Sequence, residues 1–165
     1  MNGFVSQDFE VPETLVSEKF KLEILAPPVA KVDYEAVMSS KSRLRMVFGV
    51  QAEWPRENMT LEDNIRDLEM HEEEFKTRKA FAYSILTPSG DRALGTIYID
   101  PSRVSTYDCE VQFWLRDDSI RLDAELYRIF KEWMSTCWKF SNIIYPGRSI
   151  SWKNWNQILD NNKTA

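Results

Sequence analysis

Three short apolar runs, separated by turn-forming residues, dominate the middle of the chain. Residues 80–86 and 93–99 are rich in β-forming side chains, and residues 87–91 between them have the composition of a tight reversal. A looser turn then leads to a third run at 108–115. Because connections this short join antiparallel neighbours, the pattern predicts a three-strand meander.

Two amphipathic helices are predicted on either side of the meander. Upstream, Thr60 with Asp63 three residues later resembles a capping box, which predicts a helix start. Downstream, apolar residues recur at helical spacing as soon as the meander ends. The upstream stripe consists of Leu61, Ile65, Leu68 and Phe75, and the downstream stripe of Leu122, Leu126, Ile129, Phe130, Trp133 and Cys137.

The segment before Thr60 predicts one strand and one further helix. Residues 20–25 alternate apolar and polar positions, as a half-buried strand does. Asp33 can cap the helix that follows, and Gly49 is a plausible stop. The apolar positions of this helix are Val37, Leu44, Val47 and Phe48.

The two ends of the chain complete the predicted order of elements. We expect a loosely structured lead-in at 1–19, a last strand at 142–145 and a short packing helix in the tail at 149–159. The order is then strand, helix, helix, meander, helix, strand. It predicts a single α/β (α+β) domain over residues 1–165, with helices on both faces of a mixed, mostly antiparallel sheet.

Composition narrows the classes of partner. The chain has 21 basic and 26 acidic residues, a net charge of −5, which argues against nucleic acid or an anionic membrane as partner. Cys109 and Cys137 have no metal-ligand spacing and predict no disulfide framework. Residues 1–16 lack the pattern of a secretory signal, so we expect a protein of the reducing cytoplasm.

Several catalytic mechanisms are unsupported by any motif. The one histidine, His71, lies at the edge of the upstream helix's apolar stripe and is interpreted as a packing residue. Nucleophile-elbow, Walker A and dinucleotide-binding patterns are missing from the sequence. The acids between Glu69 and Glu74 point around a helix in different directions and do not converge on one cation.

The junction between the third meander strand and the downstream helix is the best candidate site. A helix N-terminus offers free backbone N–H groups and the positive end of a dipole, which suits a phosphate. Arg116 and Arg121 lie there and add positive charge.

These segments together resemble the centre of the GNAT N-acetyltransferase superfamily. The resemblance rests on residues 81–86, on 90–99 with Gly95, and on 109–115 with Glu110, and it covers roughly residues 20–145. It implies that the fourth predicted strand, the third run of the meander, splays from the fifth predicted strand at 142–145, and that acetyl-CoA lies in the cleft between them. The implied acetyl-CoA contacts are Trp114, Leu115, Arg116, Ser119, Ile120, Arg121 and Leu122.

The family holds the pyrophosphate with a loop patterned Arg/Gln-x-x-Gly-x-Gly/Ala. Here Ser119 and Arg121 stand at the two glycine positions, and Asp117 and Asp118 add negative charge. The resemblance also implies Glu110 as general base and Tyr145 as general acid. Glu110 is alternatively a strand carboxylate paired with an arginine, and Tyr145 a packing residue.

Three functions follow as alternatives. The first is an N-acetyltransferase that transfers acetyl from acetyl-CoA to an amine of a small molecule or protein. The second is a catalytically inactive GNAT-fold binding or regulatory protein that has lost acetyl-CoA, and the third is a plain α+β ligand-binding domain. Exposed tryptophans in the tail, Trp152 and Trp155, would mark a contact surface of a homodimer.

Overall fold

The computed structural model describes residues 3–47 and 54–163, and their strands form one sheet in the order of the chain. The first five strands are antiparallel to their neighbours, and β6 pairs in parallel with β5. The strands are β1 (Thr14–Val16), β2 (Lys21–Ile24), β3 (Phe81–Leu86), β4 (Ala93–Pro101), β5 (Cys109–Leu115) and β6 (Ile143–Ile144).

The helices lie on both faces of this sheet, as predicted. One face packs against α4 through Leu126, Phe130 and Trp133, which form the largest buried cluster together with Tyr83 and Val111. The opposite face carries α1, α2 and α3. The helices are α1 (Ala30–Ser39), α2 (Lys41–Val47), α3 (Leu61–Lys76), α4 (Asp123–Cys137) and α5 (Trp152–Lys163), and two short 3₁₀ helices cover Pro27–Val29 and Asp117–Leu122.

The meander and the capping box are confirmed. Strands β3, β4 and β5 lie within the predicted runs, apart from the extension of β4 to Pro101. Thr60 Oγ1 accepts from the Asp63 N–H at 3.1 Å, and Asp63 Oδ2 accepts from the Thr60 N–H at 3.0 Å. The helix after Thr60 therefore begins where the sequence predicted.

The prediction of one helix capped by Asp33 is wrong. Helix α1 begins at Ala30, directly after the proline-containing 3₁₀ turn, so Asp33 lies inside the helix. Its buried carboxylate accepts instead from Asn64 Nδ2 at 3.0 Å and Thr96 Oγ1 at 3.3 Å. The helix ends at Ser39 and α2 starts anew at Lys41; the predicted stop at Gly49 lies outside the described residues.

The two ends of the sheet also differ from the prediction. The lead-in contains β1, an edge strand of three residues that pairs with β2. Strand β6 is limited to Ile143–Ile144, shorter than the predicted 142–145. Helix α5 confirms a helical tail, but Trp155 is fully buried against Val104 and Ile144, so it offers no surface for a homodimer.

None of the described helices combines the length and the apolar character that spanning a bilayer requires.

Candidate functional site

Strands β5 and β6 separate after a short pairing. Cys109 pairs with Ile143 and Glu110 with Ile144, and the described residues place no strand beside β5 on this side beyond that point. From Val111 to Leu115, this edge of β5 has no partner strand among the described residues, and we call the space beside it the cleft.

An arginine from the segment after β6 crosses this cleft. Arg148 Nη1 and Nη2 donate to the two carboxylate oxygens of Asp123 at 2.6 and 2.9 Å. Nη2 also donates to the Phe113 carbonyl at 3.3 Å, and the guanidinium lies 3.4 Å from the centre of the Phe113 ring. Arg148 thus joins the first residue of α4 to the edge of β5.

A second arginine binds the same strand two residues further on. Arg43 of α2 donates from Nη2 to the Leu115 carbonyl and from Nε to Asp117 Oδ1 at 2.5 Å. The Asp117 N–H in turn donates to Ser40 Oγ at 2.8 Å. The carbonyls of Phe113 and Leu115 are therefore each bound by an arginine that also pairs with an aspartate.

Arg116 is buried and paired with carboxylates, and its role in acetyl-CoA binding stays a prediction. Its guanidinium donates to both oxygens of Glu35 on α1, at 2.6 and 2.8 Å, and to the Ala93 carbonyl at 3.2 Å. Its Nε lies 3.1 Å from Asp118 Oδ1. The hydrogen bonds from Arg116 lower the pKa of Glu35, as expected for an ionised pair.

The other residues predicted to contact acetyl-CoA are scattered. Leu115 is buried in the main core with the partly buried Leu122 packed against it, whereas Trp114 is buried on the opposite face of the sheet. Ile120 and Arg121 are exposed. The structure thus gathers no common surface from the predicted set, and their role in acetyl-CoA binding stays a prediction.

Glu110 lies at the point where β5 and β6 diverge. Its side chain is 3% exposed, and Arg103 holds it through the backbone N–H at 2.6 Å and through Nη2 at 2.9 Å. The arginine pairing that the sequence allowed is therefore present. A role for Glu110 as general base stays a prediction.

Tyr145 lies on the other face of the sheet from the Glu110 carboxylate. Its ring packs against Tyr127 at 5.2 Å within the cluster that includes Cys109, and burial raises the pKa of its phenol. The structure therefore does not bring Glu110 and Tyr145 together, and the acid role of Tyr145 also stays a prediction.

A cavity of about 470 Å³ opens beside Glu110. It lies where the C-terminal end of β4 and the N-terminal end of β5 approach helix α5. Its lining includes Asp100, Arg103, Glu110, Gln112, Trp152 and Asn156.

His71 packs as the sequence predicted. Its ring lies 5.6 Å from that of Tyr98, and burial lowers the pKa of the imidazole. Both cysteines are free, and no group of metal-ligating side chains occurs among the described residues.

Comparison with solved structures identifies the architecture. The ribosomal-protein-S5-alanine acetyltransferase from Vibrio fischeri matches with a TM-score of 0.60 and 15% identity, over 90% of this chain and 80% of the other. The chain has the GNAT fold. The sequence itself matches no protein-family model and no curated protein.

Two further GNAT-fold structures were solved with ligands. The ribosomal L7/L12 alpha-N-protein acetyltransferase RimL, in complex with coenzyme A, has a TM-score of 0.59 and 12% identity, over 90% of this chain and 81% of the other. The microcin C7 self-immunity acetyltransferase MccE, in complex with acetyl-CoA and AMP, has a TM-score of 0.54 and 15% identity, over 78% of this chain and 71% of the other.

The residues of this GNAT cleft do not fit acetyl-CoA. A pyrophosphate is held by free backbone N–H groups, whereas here the N–H of Asp117 is bound to Ser40 and that of Ser119 to the Arg116 carbonyl. The carboxylates at the same loop are already paired with the chain's own cations, so the arginines that could attract a phosphate are engaged. These pairs are Asp117 with Arg43, and Asp118 with Arg92 and Arg116.

Sequence reasoning missed the residues that fill the cleft. Arg148 and Asp123 are 25 positions apart, and Arg43 and Asp117 are 74 apart, so no local pattern connects either pair. One local signal for the first ion pair is Asp123, a carboxylate at the start of the downstream helix. A helix start is where a phosphate would otherwise bind.

Proposed function

We propose that this protein is a GNAT-fold binding protein that does not use acetyl-CoA and whose ligand site is the cavity beside Glu110. The observation that carries the proposal is the position of Arg148, paired with Asp123 across the cleft and bonded to the Phe113 carbonyl. The cleft that gives the fold its cofactor site is occupied by the chain's own side chains.

The energetic argument concerns what acetyl-CoA would have to displace. Ion pairs this exposed are worth about 1 kcal/mol or less each, and binding in the cleft would break the Arg148–Asp123 pair and, along β5, the Arg43–Asp117 pair. The pyrophosphate would then lie beside Asp117 and Asp118. Binding energy would therefore be spent on breaking the ion pairs that hold these side chains in place.

The second candidate function is an N-acetyltransferase that transfers acetyl from acetyl-CoA to an amine of a small molecule or protein. The divergence of β5 from β6 is retained, and Glu110 lies at its vertex. This function requires Arg148 to leave the cleft when acetyl-CoA arrives, because the guanidinium and the ligand would compete for the same carbonyl.

Thermal unfolding in the presence of acetyl-CoA or coenzyme A separates the two candidates. A ligand that binds only the native state raises the unfolding midpoint. We expect no change at millimolar concentrations of either compound, with a GNAT enzyme of established activity as the positive control. A saturable rise in the midpoint would favour the acetyltransferase, and acetylation of an amine would establish it.

A further inference from the structure

The cavity beside Glu110 contains a second carboxylate, Asp100. It lies on β4, near its end, directly opposite Glu110 of β5 in the strand register, and both residues line the cavity. Within the described residues, Asp100 makes no hydrogen bond or ion pair. A half-buried carboxylate without a counter-ion is costly to the folded protein.

The charged groups around Asp100 leave it uncompensated. Glu74 faces it from α3, Glu110 faces it from β5, and Arg103 is the cation among the three. Arg103 is already held by Glu110, through its backbone N–H, its Nε and its Nη2. The local balance at Asp100 is therefore negative.

The ionisation of Asp100 agrees with this environment. Burial, followed by Glu74 and Glu110, raises the pKa of Asp100 to about 6. At neutral pH the carboxyl group of Asp100 is still mainly ionised. The cavity therefore presents a negative charge that the surrounding protein neutralises only in part.

An aromatic side chain also lines the cavity. Trp152, the first residue of α5, is half-buried, and its indole packs closely against Gly147, where a Cβ would lie 2.4 Å from the indole nitrogen. The amides of Gln112 and Asn156 supply neutral polar groups. An aromatic ring combined with a carboxylate is the arrangement that attracts organic cations.

We propose that this cavity binds a small organic cation, with Asp100 pairing to its ammonium or guanidinium group and Trp152 covering that group. The proposal rests on the proposed function only in taking the cavity as the ligand site. Asp100 supplies the charge, Trp152 the face for the cation, and Gln112 and Asn156 the contacts to the rest of the ligand.

The test is the unfolding midpoint, followed by titration calorimetry, with three probes that differ in their cationic group: putrescine, agmatine and choline. The neutral compound 1,4-butanediol is the matched control for putrescine. We expect at least one cation to raise the midpoint in a saturable manner, whereas the diol leaves it unchanged.

Three variants locate the binding. Asp100→Asn keeps the shape of the side chain and removes its charge, and we expect it to weaken binding about tenfold or more. Asn156→Lys places a cation in the cavity from the exposed surface of α5 and should also weaken binding. Glu132→Gln, an equal loss of charge on the exposed side of α4, should bind as the unmodified protein does.

The results separate this inference from the proposed function. No saturable binding of any of the three cations would overturn the inference, as would equal affinity in Asp100→Asn and the unmodified protein. Acetyl-CoA, tested in parallel on the same samples, bears on the proposed function alone. A rise in the midpoint with acetyl-CoA contradicts that function and leaves the result with the cations to be judged separately.

Discussion

Arg148 and Asp123 form a two-point ion pair, with nitrogen-to-oxygen distances of 2.6 and 2.9 Å, inside the cleft between β5 and β6. The side chains are 19% and 37% exposed, so water screens the pair only in part. Because Asp123 is also the first residue of α4, its negative charge lies at the favourable end of the helix dipole.

We expect this pair to stabilise the fold measurably. In a double-mutant cycle of Arg148→Ala, Asp123→Ala and the combined variant, the coupling free energy should be about 1 kcal/mol, measured by urea denaturation. Strictly additive losses would contradict the contact. The cycle Arg121→Ala with Asp123→Ala is the control and should show no coupling, because Arg121 is exposed and makes no ion pair within the described residues.

Gly95 allows β4 to approach β5 closely. A Cβ at this position would lie 1.9 Å from the Trp114 carbonyl oxygen, which is backbone and cannot move aside as a side chain would. Gly95→Ala should therefore destabilise the protein by about 3 kcal/mol, measured by denaturant unfolding. The Gly3→Ala variant, at an exposed position with an ordinary contact of 3.5 Å, should be nearly neutral, and equal effects of the two variants would refute the account.

The capping box at the start of α3 gives a smaller, local prediction. Thr60→Ala removes the oxygen that accepts from the Asp63 N–H, and should lower the free energy of unfolding by about 1 kcal/mol. Thr106→Ala, at an exposed loop position, is the control. A loss in Thr60→Ala no larger than in the control would show that the box contributes nothing.

Stability should also depend on pH through Asp33. Burial raises its pKa to about 6, so between about pH 4 and pH 6 the folded protein binds more protons at Asp33 than the unfolded chain does. This group therefore makes the protein less stable as pH rises through that window. Asp33→Asn should remove that contribution, and an unchanged difference between the two proteins from pH 4 to pH 7 would contradict it.

The sequence predicted the elements whose signals are local. The capping box of Thr60 and Asp63 depends on residues three apart, and the meander on strands joined by short turns, so both could be found from the chain alone. The end of α1 could not be found in this way. Ser40 leaves helical geometry at φ −128°, and its hydroxyl accepts from the Asp117 N–H, which is distant in the sequence.

The candidate site was predictable only in part. The alternation of side chains along β4 and β5 puts Asp100 and Glu110 on one face, but their register is set by the loop between them. The arginines that bind β5 could not be predicted, for a different reason. Arg148 follows β6 and Arg43 belongs to α2, so both are far from β5 in the sequence and contact it only in the folded chain.

Titration calorimetry of the purified protein with acetyl-CoA tests the central claim most directly, since the claim is that Arg148 and its partners have replaced the ligand in the GNAT cleft. The account predicts no saturable heat at millimolar acetyl-CoA. Saturable binding of one acetyl-CoA per chain, weakened by Arg121→Glu just before α4, would contradict it.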